Sequence, residues 1–190
     1  MQTKKELLTK FRKLQTIFSI FLFFFITFFF TATTDFNIKD IQISKWGTVD
    51  NFGWIFNLSL MVISISLLFN SFIYIKRHNR IINKNFFYLF FGITYFSLFF
   101  TGLFNVDYNK EVHNTFAYTY FFSYPLSIFL LSHINRKRIL YKEWFYHLIF
   151  SIIMVFFPLF LMSFFNGMAI PEIAHTIIVM AWNLRIIIKI

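Results

Sequence analysis

Six runs of about 19 to 24 apolar residues, nearly free of charge, alternate with short polar connections along this chain of 190 residues. They read Leu14–Thr33, Phe52–Ile75, Phe86–Phe104, Thr115–His133, Trp144–Phe165 and Ile170–Ile188. Each is long enough to cross a hydrocarbon core of roughly 30 Å at about 1.5 Å per helical residue. Buried helices of soluble proteins keep a polar face, whereas Phe21–Phe30 is apolar on every side. The pattern therefore predicts an all-α fold, a polytopic transmembrane bundle of six helices forming one integral domain over residues 1–190.

Breaks in the pattern fall at particular places. Pro125 and Pro158 sit inside the fourth and fifth runs, where each removes a backbone hydrogen bond and favours a kink. Asn57, Ser64 and Ser71 recur at heptad spacing on one face of the second run, as do His113, Tyr120 and Ser127 around the fourth. Such stripes usually make hydrogen bonds between membrane helices. The first connection, Thr34–Asn51, is the longest. It is expected to hold a short interfacial piece, with Trp46 and Trp54 anchoring at headgroup depth. The uniformly apolar first run is expected at the edge of the bundle, and the other five are expected to pack as sequential neighbours.

Charge orients the runs. Of the 18 Lys and Arg residues, 15 fall in segments that share one side: the N-terminal stretch, Lys76–Lys84, Arg136–Lys142 and the C-terminal end. Only Lys39, Lys45 and Lys110 fall on the other side, together with six of the eight acids. The positive-inside rule then gives an N-in/C-in topology. The formal charge of +10 becomes a set of cytoplasmic patches suited to anionic lipid headgroups. It does not indicate nucleic-acid binding, for which no soluble module is left over. Localisation is expected in a membrane, the bacterial inner (cytoplasmic) membrane. The basic start followed by an apolar run imitates a secretory signal, but that run is longer than a cleaved signal core and is expected to be retained. The 33 phenylalanines read as lipid-facing filler in place of leucine.

Composition narrows the chemistry. There is no cysteine, so disulfides and thiolate catalysis are excluded. No metal or cofactor is expected, because His-Glu-x-x-His and related signatures are missing. The titratable groups worth weighing gather at the outer helix ends: Asp107, His113, Glu172 and His175, joined on the second run by Asn57. Pro171 and Glu172 suit a helix start, since proline fits the first turn and an acid meets the positive end of the dipole. Glu172 and His175, three apart, share a helix face, a spacing also used by carboxylate-bridged metal sites. The same residues fit a helix cap with interfacial histidines, a lipid-binding pocket, or a metal-assisted hydrolase. His78, His133 and His147 fall at the inner ends among basic loops and are read as interfacial; Asn70 and Asn183 also fall near that side, and no function is attached to them. Only serines, threonines and tyrosines stand in the central turns, which weighs against a small-solute transporter.

Ser44-Lys45-Trp46-Gly47, Phe56-Asn57, Gly102-Leu103-Phe104, His113, Phe121-Phe122, Pro125 and Ile170-Pro171-Glu172 together resemble a prokaryotic membrane family, domain of unknown function 998. The resemblance spans about residues 43 to 185. It departs at Asn105-Val106-Asp107, where a more proline- and acid-marked loop is expected. There is also a remote similarity to the Frag/DRAM/Sfk group of six-helix proteins associated with lipid remodelling. The first resemblance implies architecture but no activity, and the second implies a leaning toward lipids. Taken together, these readings predict an outward-facing polar pocket among helices two, three, four and six that binds membrane lipid through Asn57, Asp107, His113, Glu172 and His175.

Overall fold

A computed structural model describes residues 2–188, without the side chains of residues 2–6, 8 and 9. Lys189 of the expected basic segments lies outside the described residues, as do the side chains of Lys4 and Lys5. The fold is all-α. Its elements are α1 (Gln2–Thr33), a 3-10 helix (Ile43–Thr48), α2 (Gly53–Arg77), α3 (Lys84–Leu103), α4 (Lys110–Ile134), α5 (Tyr141–Leu161) and α6 (Ala169–Ile188). Every apolar run falls on a helix. α1 starts at Gln2 because the basic N-terminal stretch is itself helical, well before Leu14. α5 ends at Leu161, short of Phe165, in a turn where Ser163 and Phe164 donate to Phe160 and Leu161. α4 is opened by Asn109, whose side chain accepts the Val112 N–H at 3.1 Å, the usual work of an N-cap asparagine.

Five of these helices are long and apolar enough to cross a membrane: Lys10–Thr33 within α1, then α2, α3, α5 and α6. They mark an integral membrane protein. α4 has 25 residues but is not among the five. It carries Asn114, Thr115, Thr119, Ser123, Ser127 and Ser132, which dilute its apolar content.

Sequential helices are neighbours from α1 to α6, and α6 closes back on α1 and α2. α5 is the least enclosed span at 17% buried, and α1 follows at 28%. The expectation of an edge position for α1 is met, but α5 lies further out. Phe21, Phe24, Phe25 and Phe28 of α1 are exposed, while Phe23, Ile26 and Phe30 face the core. The outer surface is thus apolar and the interior is partly polar, as a lipid solvent requires. Small hydroxyl residues join the helices: Ser19 to Ser66 at 2.6 Å, Thr94 to Ser123 at 2.9 Å, and Ser64 to the Tyr95 carbonyl. Of the heptad stripe on α2, Ser64 and Ser71 bond to Tyr95 on α3, the interhelical contacts expected of such a stripe.

The 3-10 helix is a plug. Trp46 is 1% exposed, stacked on Phe30 at 5.8 Å and set edge-on to Phe56 at 5.9 Å. This corrects the expectation of an interfacial Trp46, because its ring fills the gap between α1 and α2. Trp54 is exposed, 63% of its surface being open. The preceding segment is tied to the α5–α6 connection by two backbone bonds, Gly167 N–H to Lys39 at 2.7 Å and Ala169 N–H to Ile41 at 2.8 Å. Only glycine fits at 167, since a Cβ there would overlap the Ile41 backbone.

Candidate functional site

Beneath this plug two cavities share a wall. The smaller, about 60 Å³, lies among α1, α2, α3, α4 and α6 and is bounded by Phe23, Phe56, Leu98, Tyr120 and Met180. The larger, about 190 Å³, lies among α4, α5 and α6, with Ala117, Phe121, Met154, Pro158 and Met168 around it. Ser44, His113, Ala117, Phe121 and Glu172 line both. The larger cavity is flanked by the exposed side chains of Tyr118, Phe122, Leu159 and Met162, so its mouth faces the apolar outer surface between α4 and α5.

Glu172 stands where the plug meets α6. Its Oε2 accepts the Ile43 N–H at 2.7 Å, and its backbone N–H donates to Met168 at 2.9 Å. The carboxylate caps the start of the 3-10 helix as well as opening α6. Its other oxygen has no hydrogen bond among the described residues.

His175 is fixed by a proline. In a regular helix the Met154 carbonyl would accept the N–H of residue 158, but Pro158 has none. His175 Nδ1 takes that carbonyl at 3.0 Å. A carbonyl only accepts, so Nδ1 carries the proton and Nε2 of the neutral ring presents a lone pair. That Nε2 is buried without a hydrogen-bond partner among the described residues. Phe121 packs edge-on against the ring at 4.8 Å and Tyr120 at 5.8 Å. His113 is held similarly, Nδ1 to the Phe104 carbonyl at the end of α3 at 2.7 Å.

Three of the five residues expected at a site, His113, Glu172 and His175, thus meet at the larger cavity. The other two lie elsewhere. Asn57 donates to the Gly47 carbonyl at 3.1 Å, locking the plug onto α2, and Gly47 must lack a Cβ because the Asn57 amide occupies that place. Asp107 is on the surface, 3.5 Å from Lys45. Among the described residues no three of His, Asp and Glu gather as a metal site. The smaller cavity lies among the four helices expected, with α1 added, whereas the larger replaces α2 and α3 with α5, which supplies Met154, Val155, Pro158, Leu159 and, at its C-cap, Met162. Apart from Pro158, read as a kink, those residues carry no marker in the sequence.

A second polar cluster was hidden in the sequence. Asn70 and Asn183, to which the sequence attached no function, are buried and bonded to each other at 2.9 Å. Asn70 Oδ1 accepts from the buried Arg12 at 2.8 Å, and Asn183 donates to the Tyr124 hydroxyl at 2.7 Å. Tyr95 also donates to Tyr124, at 3.0 Å, and meets Ser71 at 2.9 Å. His147 is likewise buried and not interfacial, bonded to Tyr74 and to the Trp182 indole at 3.0 Å each. The spacing of Asn70 and Asn183 from the helix ends gave no sign of this pairing. Arg12, two residues before the first apolar run, was the available signal.

No curated protein and no solved structure matches this chain. A family model described as "Protein of unknown function (DUF998)" matches residues 17–187, and the residues of the plug, of its α2 and α3 contacts, and of the Glu172 turn all lie within that span; the chain belongs to this family.

Proposed function

We propose that the protein binds a membrane lipid, or another amphiphile of the bilayer, in the cavity between α4, α5 and α6. The observation that carries this reading is the cavity itself: an apolar wall, a mouth on the lipid-facing surface and a polar end at His113, Glu172 and His175. Its volume of about 190 Å³ exceeds an engineered apolar cavity of about 150 Å³ that holds benzene. It therefore suits a headgroup linkage and the first part of a chain, with the remainder lying along the exposed groove of Phe122 and Leu159. The remote likeness to lipid-remodelling proteins leans the same way. In this reading α4 crosses the membrane with the other five helices, its polar residues turned to its neighbours, and both termini are cytoplasmic. The three lysines outside and the basic inner loops support that orientation.

The test is retention of lipid. Protein purified in mild detergent and examined by native mass spectrometry should carry a bound lipid. Ala117→Phe, which fills both cavities, should release it while the protein stays monodisperse. Equal lipid retention by the two proteins would place any bound lipid outside the cavity and defeat the reading.

A further inference from the structure

We propose that the polar end of this cavity selects an amphiphile whose head is a hydrogen-bond donor, a hydroxyl or a protonated amine, over one ending in phosphate or carboxylate. This rests on the lipid-binding reading above. The selection follows from what the protein has already used and what it has left. His175 spends its only N–H on the Met154 carbonyl, so the ring offers the cavity an acceptor and no donor. A doubly protonated ring would add a second buried N–H with no acceptor beside it. The Nε2 lone pair is closed to water-sized contact and unpartnered among the described residues; a ligand donor that reaches it as the packed Phe121 edge shifts recovers a hydrogen bond that the protein alone leaves unmade. Glu172 adds a carboxyl whose Oε2 already accepts from Ile43 and whose other oxygen is uncommitted. An anionic head would set its oxygens against these acceptors. Among the described residues no lysine or arginine lines the cavity to offset that repulsion. His113, which also spends its Nδ1 proton on a carbonyl, adds an acceptor of the same kind, while Asn114, Gln42, Ser44 and Tyr118, which also line the cavity, carry amides and hydroxyls that serve either kind of head and do not alter the sign of the preference.

Pro158 sets the histidine's share of the selectivity. By withholding an N–H from Met154 it sets the tautomer of a histidine on another helix. Removing it should alter the head preference without closing the cavity.

The experiment uses the full chain in phosphatidylcholine nanodiscs and four photoactivatable decyl probes ending in hydroxyl, amine, phosphate or carboxylate. Labelled positions are mapped by mass spectrometry. The hydroxyl and amine probes should label Phe121, Phe122 and Met154–Met162 about tenfold or more above the two anionic probes. His175→Phe, which keeps the ring packing against Phe121, should reduce the preference to the part that Glu172 supplies while labelling persists, and an unchanged preference would overturn the role given to His175. If that variant fails to fold, Pro158→Ala serves instead, since alanine suits a helix and restores the competing N–H; it should reduce the preference. Equal labelling by all four heads, or stronger labelling by phosphate, would overturn the inference and leave the lipid-binding reading standing. Absence of labelling around the cavity with every probe would overturn both.

Discussion

Asn183 is the junction of the buried polar network, and Asn183→Leu is the sharpest test of what holds the helices together. The substitution keeps the volume roughly constant and removes two interhelical bonds, to Asn70 on α2 at 2.9 Å and to Tyr124 on α4 at 2.7 Å. Hydrogen bonds between membrane helices contribute about 0.6 kcal/mol each on average and up to about 1.7. The expected loss is therefore about 1 to 3 kcal/mol. Asn70→Leu should cost more, because it also strips the Arg12 guanidinium of its side-chain acceptor, a charge-assisted bond of about 1.5 to 3 kcal/mol. The two changes share one bond, so the double variant should be more stable than the sum of the singles predicts by about 0.6 to 1.7 kcal/mol. Reversible unfolding in mixed micelles, followed by tryptophan fluorescence, measures all three. Trp182 is a suitable reporter, being buried and packed against Phe91 at 5.8 Å within the same region. A loss below about 0.3 kcal/mol for Asn183→Leu, or additivity of the two changes, would refute the claim that this network ties α6 to α2 and α4.

The glycines give a paired test: Gly47→Ala displaces the Asn57 amide and should cost about 1 kcal/mol or more in the same unfolding assay. Gly92→Ala meets nothing within 4 Å and should stabilise α3 by about 0.5 to 1 kcal/mol through helix propensity; a reversed order would contradict the packing described. Glu172→Leu orphans the Ile43 N–H, so it should destabilise by about 1 to 3 kcal/mol and speed protease cleavage in the Thr34–Gln42 segment, whereas unchanged cleavage would mean the plug is held without it. The absence of cysteine makes single-cysteine labelling clean: Lys39→Cys and Asn109→Cys should react with a membrane-impermeant thiol reagent in intact cells, and Asn79→Cys and Lys137→Cys should not. Reaction at the second pair would reverse the proposed orientation.

The helices were legible because lipid imposes a strong rule: each spanning segment satisfies its backbone internally and shows apolar side chains outward. Run length alone located them, and the errors came at ends governed by local chemistry. The start of α1 was missed because lysine and arginine are good helix formers that hydropathy ignores. The end of α5 was overrun because Phe164 and Phe165 are as apolar in a turn as in a helix. Trp46 misled for another reason. Tryptophan beside a span usually marks the interface, but Gly47 and Gly53 allow the 3-10 helix to lie close against α2, since a Cβ at either would overlap its neighbour. That close approach carries the indole into the core.

The site was half legible, and the division follows the kind of contact involved. His113, Glu172 and His175 were marked by being titratable at the ends of apolar runs. The α5 wall had no mark, and Pro158 read only as a kink. Its consequence depends on which helix lies opposite the freed Met154 carbonyl, a tertiary fact that no spacing within α5 encodes. The same distinction separates the two polar clusters. Toward the Arg12 end, Asn70, Asn183, Tyr124, Tyr95 and Ser71 bond to one another in a continuous chain, and such a network fixes helix positions. Around the Glu172 end, the larger cavity lies beside a histidine whose remaining nitrogen is unbonded. An unsatisfied buried acceptor is a standing cost to the folded protein. Arg12 Nε at the other end is also buried without a partner among the described residues, so what sets the Glu172 end apart is the cavity beside its unbonded histidine, and the proposed binding site rests on that juxtaposition.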